Sequence, residues 1–412
     1  MKIIPNTKRL LGGGETPFVK PNVSHCITEN HVHYNPWTYA DTYLTFVAKE
    51  DGTFTFTPQN SNVISYSTDG EHWTEGNSVE VSNGDKVMWK GELTPSSSAG
   101  VGTFSSTGNF DVQGNVMSLL YGDNYKGKTD LPENIYLFSN LFKDNTKVVN
   151  AENLSLPSNT LTRWCYYYMF YGCTNLKTAP VLPATTLAYG CYMYMFVKCT
   201  SLETTPQLPA TTLADYCYWH MFEDCTSLTT APELPATILT DHCYADMFQG
   251  CTSLTSAPEL PATTLASSCY SNMFEGCTSL TTAPVLSATT LAYSCYSSMF
   301  RDCTSLTTAP VLPATNLTFY CYQSMFRDCT SLTTAPVLPA TTLLNKCYSS
   351  MFSGCTKLNY IKAMFTTGPS IDYTEEWVKG VSSTGTFVKN SAASWTTTGV
   401  NGVPSGWTVE TA

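Results

Sequence analysis

The chain has 412 residues, a length that would ordinarily make two or three domains. Charged residues are only 13% and the net charge is −11, so the basic surfaces that bind nucleic acid or anionic membranes are not expected. The apolar fraction of 42% is higher than that of a disordered chain, and no apolar run reaches the length of a membrane span. We expect a soluble protein with a packed core.

Residues 1–39 form the first distinct region, punctuated by prolines and without hydrophobic periodicity. They contain large apolar side chains that cannot be buried within the segment itself, namely Ile3, Ile4, Leu10, Leu11, Phe18, Val19 and Trp37. The sequence therefore predicts an extended arm that packs on a partner protein or on a sister chain. His25, His31 and His33 are a weak metal-site candidate, since their spacing matches no zinc signature; an ordinary polar arm or interface is the alternative. No cofactor is expected.

Residues 40–125 alternate apolar and polar side chains over several short stretches, such as YLTFVAKEDGTFTFTP and VEVSNGDKVMWKG. The pairs Asp51-Gly52, Asp69-Gly70 and Asn83-Gly84 are typical of tight hairpin turns. This region is predicted to be a small antiparallel β-domain, a sandwich in form.

An overt repeat of 26 residues follows. Two columns of eight cysteines begin at Cys165 and Cys173 and end at Cys347 and Cys355, and Met-Phe pairs recur in parallel with them. A degenerate copy precedes these repeats, with Asn145 where a cysteine is expected. A degenerate first copy is typical of the terminal, capping unit of a stacked array.

Each repeat divides into two parts of different chemistry. Cys269, Met273 and Cys277 are four residues apart and predict one helical turn. Pro258 and Pro261 exclude a helix from the other half, for which we predict a short strand around 254–257 and an extended turn. One helical turn and one short strand per 26 residues are typical of a leucine-rich-repeat coil.

The segment CTSLTTAPELPATTLASSCYSNMFEG resembles the BspA-like leucine-rich repeats found in surface proteins of gut anaerobes and their phages. The resemblance rests on a C-x-x-L start, a strand that ends near proline and an aromatic residue before the next cysteine, and it covers about residues 135–365. It implies a leucine-rich-repeat solenoid over 126–360, without enzymatic activity, used for adhesion and recognition. The tail over 361–412 carries Trp377, Trp395 and Trp407, breaks the repeat and is predicted to be a C-terminal cap.

The sixteen cysteines of the two columns have the register of core positions, where cysteine acts as a small apolar residue. Buried free thiols are therefore favoured. Disulfides remain the alternative, and a metal site is disfavoured because no histidine accompanies the columns.

No arrangement typical of a catalytic site is present, so the protein is not expected to be an enzyme. The positions after each Cys-Tyr pair vary between repeats and are aromatic in the first ones, which predicts a ligand-contact surface for a sugar or a protein. Its members are Trp164, Tyr167, Tyr168, Tyr171, Tyr189, Tyr194, Tyr216 and Trp219. The alternative is that the β-domain packs over these rings.

The function favoured by these features is that of a non-enzymatic virion surface or fibre protein of a phage of gut bacteria. Residues 1–39 would bind other virion proteins, and the solenoid would recognise a host surface protein or glycan, without nucleic-acid binding or membrane insertion. Self-association is left open. The alternative is a secreted bacterial cell-surface adhesin of the BspA type; the N-terminal sequence MKIIPNTKRLLGGGETPF has no export signal, which favours the virion.

Overall fold

The first part of the structure is built from short strands. The computed structural model describes residues 39–96, 99–133 and 135–412, and the proposed arm, with His25, His31 and His33, lies almost entirely outside them. The first eight strands are β1 (Leu44–Ala48), β2 (Gly52–Pro58), β3 (Ile64–Ser67), β4 (Thr74–Glu75), β5 (Ser78–Val81), β6 (Lys86–Gly91), β7 (Gly102–Ser106) and β8 (Phe110–Asn115).

These strands form two sheets. In the larger sheet β8, β1, β6, β3 and β4 are neighbours in that order, and in the smaller one β2 lies between β5 and β7. All of these pairings are antiparallel. The ring of Phe46 in β1 lies 5.4 Å from that of Phe54 and 4.7 Å from that of Phe104, both in the smaller sheet. The predicted antiparallel sheets are therefore confirmed, and they pack on each other through buried aromatic rings.

The larger sheet continues directly into the repeats. After a helix α1 (Ser118–Tyr121) and a single 3-10 turn, strands β9 (Val148–Asn150) and β10 (Leu154–Ser155) of the degenerate first copy both pair with β8, in parallel. The buried aromatic core is also continuous across this junction, because the ring of Phe142 lies 5.8 Å from Phe104 and 5.2 Å from Phe170. The β-sheets thus cover the N-terminal end of the stacked repeats.

Successive repeats stack on one another with residues 26 positions apart as neighbours. Parallel bridges join Thr178 to Thr204 and Thr282 to Thr308, for example. The strand predicted around 254–257 is reduced to one such bridge, between Thr230 and Ser256. Because each proline-punctuated segment contributes only isolated bridges, the backbone stays extended without forming a regular sheet.

The segment between the two cysteines of each repeat is a run of turns, and the predicted helical turn is wrong. Every second amide donates to the carbonyl three residues back, as Met273 N does to Tyr270 O (3.3 Å). The amides between them donate to the next repeat, as Phe274 N does to Met299 O (3.0 Å). A helix would use all amides within one repeat. Here half of them hold neighbouring repeats together.

The tail beyond the last cysteine continues the stacking, although its sequence does not repeat. Strands β11 (Tyr360–Ala363), β12 (Thr386–Lys389) and β13 (Thr408–Thr411) form a parallel sheet, with helix α2 (Ile371–Thr374) between the first two. Trp377 lies 26 residues after Met351, at the methionine position of the repeat, and its ring packs 6.1 Å from that of Phe352. Among the described residues, no helix is long and apolar enough to cross a membrane.

Gly114 provides a test of the junction between β8 and its neighbours. Its φ is +83°, and a Cβ atom there would collide with the carbonyl oxygen of Tyr43. Substituting Gly114→Ala is expected to lower the free energy of unfolding by about 2–5 kcal/mol, through backbone strain and displacement of the neighbouring chain. The matched control is Gly84→Ala, since Gly84 also has a positive φ of +94° but a Cβ there meets no atom within 4 Å. Urea denaturation should show a loss of only about 1 kcal/mol for the control; equal losses would contradict the steric argument.

Candidate functional site: aromatic rows on the turn segments

The turn segments place every fourth residue in the left-handed region of the backbone. In one repeat these are Ser268, Asn272 and Gly276, with φ of 51°, 53° and 73°. Small polar residues and glycine are the residues that accept this conformation most readily. Local preference therefore explains the residues found in this repeat.

The first repeats place large aromatic residues at the same left-handed positions. Trp164, Tyr168, Tyr194 and Tyr216 have φ between 52° and 59°. A bulky side chain there is a conformational outlier that costs of the order of 1–2 kcal/mol. The backbone thus disfavours these rings, and an outlier of this kind is a reason to look for another role.

All eight aromatic residues predicted as a ligand surface belong to one continuous cluster, which we call the aromatic rows. Each has at least one other member within 5.5 Å, centroid to centroid, for example Trp164–Tyr189 (5.3 Å), Tyr167–Tyr168 (4.1 Å), Tyr168–Tyr171 (5.0 Å), Tyr189–Tyr216 (5.1 Å) and Tyr194–Trp219 (5.5 Å). All eight are partly exposed. Within the described chain their ring partners come from residues 136–242 and none from β1–β8, which disfavours the alternative that the sheets cover them.

Along the stack, several rings lie face to face. Tyr194 is sandwiched between Tyr168 (4.9 Å, 20° between planes) and His220 (4.7 Å, 11°), and Tyr216 lies on His242 (4.6 Å, 7°). These contacts cover ring faces along the stack.

The aromatic rows end at a polar cluster that the sequence interpretation missed. The buried carboxylate of Asp246 accepts hydrogen bonds from Trp219 Nε1 and Asn272 Nδ2, each 2.8 Å long. His220 Nε2 lies 3.6 Å from Asp246 Oδ2, and its Nδ1 lies 2.8 Å from Glu223 Oε2, out of line for a hydrogen bond. Burial raises the pKa of Asp246.

One sequence signal could have found this cluster. Tyr168, Tyr194, His220, Asp246 and Asn272 occupy the same position in five successive repeats, so each contacts the next. Reading that column as a line of neighbours predicts the contacts of His220 and Asp246.

The cysteine columns form part of the core. The sixteen cysteines from Cys165 to Cys355 are free and buried. In the second column each Sγ donates to the phenylalanine carbonyl of the preceding repeat, as Cys199 does to Phe170 O (3.1 Å). Asn145, which replaces a cysteine, makes the equivalent bond to Phe104 O (3.0 Å). The thiols thus satisfy buried carbonyl groups, a role that the apolar interpretation of the columns did not include.

Burial also makes these thiols poor nucleophiles. It raises the pKa of every cysteine in both columns, for instance that of Cys191 to about 12 and that of Cys347 to about 11. In the part of the chain that the structure describes, there is no group of three His, Cys, Asp or Glu side chains placed to hold a metal ion.

Comparison with known proteins adds one finding. The model of the BspA type leucine rich repeat region matches six copies in this chain, over residues 128–255 and 242–368. No curated protein matches the sequence. The matched stretches cover more than half of the 412 residues and coincide with the stacked repeats. The chain therefore belongs to the BspA-type leucine-rich-repeat family.

Proposed function

We propose that this protein is a non-enzymatic recognition protein, in which the repeats form a solenoid that presents the aromatic rows to a ligand on a host surface. Membership of the BspA-type family supports a surface or adhesion role. A protein or a glycan would serve as the ligand.

The observation that carries the proposal is the conformational cost of the rings. Tyr168 and Tyr194 occupy left-handed positions where later repeats of the same chain have Asn272 and Ser298. Those repeats stack with the same backbone hydrogen bonds, so the fold does not require aromatic residues there. Ring stacking offsets part of the cost, but partly exposed rings at disfavoured positions are typical of a contact surface.

The location of the protein is also a proposal. We favour the virion surface, where residues 1–39 would attach the chain to other virion proteins through their apolar side chains. A bacterial cell-surface adhesin of the BspA type is the alternative, and family membership does not distinguish the two locations. Mass spectrometry of purified particles and of bacterial surface fractions distinguishes the two.

The binding surface is tested by replacing its aromatic residues with the residues found at the same positions in later repeats of this chain. We expect the triple variant Tyr168→Ser, Tyr194→Asn and Trp219→Ser to lose binding to host cells or an array of host glycans and matrix proteins. Its repeats should remain folded, because equivalent positions hold Ser298, Asn272 and Ser271. Binding is measured by surface plasmon resonance and folding by circular dichroism.

The matched control for this variant is Tyr293→Ser. Tyr293 is 53% exposed and lies outside the aromatic rows, and Ser267 occupies its position in the preceding repeat. The control should bind as the unmodified protein does. Retained binding by the folded triple variant would refute the proposed surface.

A further inference from the structure

The charge of the stacked repeats is strongly segregated. Between Cys199 and Phe300 the sequence contains no lysine or arginine and nine acidic residues: Glu203, Asp215, Glu223, Asp224, Glu233, Asp241, Asp246, Glu259 and Glu275. Tyr216 and Trp219, the last members of the aromatic rows, lie within this stretch. The two ends of the aromatic rows therefore have different electrostatic surroundings.

At the N-terminal end, the rings already contact cations of the same chain. Lys143 Nζ lies 4.8 Å from the centre of the Tyr168 ring, and the guanidinium carbon of Arg163 lies 5.2 Å from that of Tyr189. Lys198 Nζ lies 5.8 Å from the Tyr171 ring. Such contacts stabilise a cation by the negative potential of the ring face. Among the described residues, no lysine or arginine makes this contact with Tyr216 or Trp219.

Trp219 is positioned to accept a cation from outside. The plane of the indole makes angles between 49° and 66° with the planes of its neighbouring rings, which are those of Tyr194, Tyr216, His220 and His242. None of these rings therefore lies parallel on the face of the indole. The hydrogen bond from Nε1 to Asp246 holds the indole in place. Tryptophan is also the side chain that binds cations most strongly through its ring.

Carboxylates surround this end of the aromatic rows. Asp215 and Asp241 are exposed on adjacent repeats, where Asp241 N donates to Asp215 Oδ1 (3.2 Å). Asp215 directly precedes Tyr216 in the chain. Burial raises the pKa of the Tyr216 hydroxyl group, and Tyr189 and these two carboxylates raise it further. Glu223 lies beside His220. Burial lowers the pKa of His242, which leaves that imidazole neutral near pH 7 and unable to neutralise the carboxylates.

We propose that the face formed by Trp219 with Asp215, Asp241 and Glu223 binds lysine or arginine side chains of a basic polypeptide segment of the partner. The indole provides the ring face, and the carboxylates provide the opposite charge. The inference rests on the proposed function and specifies the chemistry of its ligand. The first repeats supply the internal precedent, because there the chain places its own Lys143 and Arg163 on rings of the same surface.

The test measures the affinity of the full chain for a fluorescent oligolysine by anisotropy, with oligoglutamate as the opposite-charge probe. Oligolysine should bind and oligoglutamate should not, and affinity should fall as salt rises. The double variant Asp215→Asn, Asp241→Asn keeps the side-chain oxygens that accept backbone hydrogen bonds. It should bind oligolysine about tenfold more weakly, which corresponds to ~1.4 kcal/mol. Trp219→Ser should weaken binding by a similar factor, with folding confirmed by circular dichroism.

The matched control removes two carboxylates of adjacent repeats from a different position of the repeat. Glu233 and Glu259 are exposed and follow prolines in the extended segments, so Glu233→Gln with Glu259→Gln lowers the charge equally. Its affinity should stay near that of the unmodified chain. If the control loses as much affinity as the Asp215 and Asp241 variant, or if oligolysine does not bind, the proposal is overturned.

The same variants separate this inference from the proposed function. Binding of a neutral glycan or acidic protein that depends on Trp219, without oligolysine binding, refutes the basic-segment proposal and leaves the recognition surface standing. If every aromatic variant keeps its full binding activity, both the basic-segment proposal and the proposed recognition surface are refuted.

Discussion

Raising the pH above about 9 is expected to unfold the protein within about one pH unit. The reason is the number of buried acidic groups that the folded state keeps protonated. The sixteen cysteines of the two columns are buried free thiols, and burial raises their pKa above the ordinary value of 9.0. Eight buried tyrosines, from Tyr166 to Tyr348, have a pKa raised in the same way.

The sign of the effect follows from proton binding in the two states. The unfolded chain releases thiol protons near pH 9, whereas the folded chain retains them until each raised pKa is reached. The stabilisation is therefore fully present below the unfolded pKa and is lost as pH rises from there towards the folded pKa. Each such group lowers the free energy of unfolding by ~1.4 kcal/mol per pH unit. A few groups suffice, because a typical domain is stable by only about 5–15 kcal/mol.

Circular dichroism against pH, in the presence of a reductant, measures this transition. The control is a variant in which Cys243, Cys251, Cys269 and Cys277 are replaced by alanine. It should show a less steep alkaline transition, because four fewer protons are released on unfolding. A protein that stays folded to pH 11 would contradict the assignment of the columns as buried protonated thiols.

Replacing Phe248 by alanine is expected to destabilise the stacked repeats strongly. The ring is fully buried and stacks between those of Phe222 and Phe274, at centroid distances of 5.7 Å and 5.8 Å. It therefore contacts both neighbouring repeats. Its loss leaves a cavity in the continuous column of phenylalanines. We expect the free energy of unfolding to fall by about 3–5 kcal/mol.

Ile238→Ala is the matched control for this substitution. Ile238 is a large apolar residue of the same region but is 76% exposed, and its truncation should change stability by no more than about 0.5 kcal/mol. Urea denaturation of both variants measures the difference. Similar losses for the two would show that stability does not depend on the stacked rings.

The repeat period is the property that the sequence predicted best, because a core residue recurring every 26 positions must contact its own copies. The columns of Phe170 and Cys173 are buried as their register indicated. The same reasoning identified the aromatic rows, since Tyr168, Tyr194 and Trp219 occupy positions that the core does not determine. It did not supply the contacts of His220 and Asp246, which arise only when adjacent repeats are placed side by side.

The backbone of the turn segments could not be predicted from one repeat alone. Cys269, Met273 and Cys277 have helical spacing, but a helix would satisfy its amides internally, whereas here Tyr270, Asn272 and Phe274 donate to the next repeat. The stacking of the C-terminal tail on the last repeat could likewise not be predicted from the sequence. Trp377 extends the aromatic core beyond Phe352 without any repeat of the surrounding sequence.

The sequence by itself therefore determined the repeat family, the period, the buried columns and the region that forms the two antiparallel sheets, because each of these depends on residue type and spacing. The tertiary structure alone decided the turn conformation, the joining of β8 to β9 and β10, and the polar cluster at Asp246. These depend on which hydrogen-bond partner a neighbouring repeat or sheet offers, and that partner is remote in the chain from the residue that uses it.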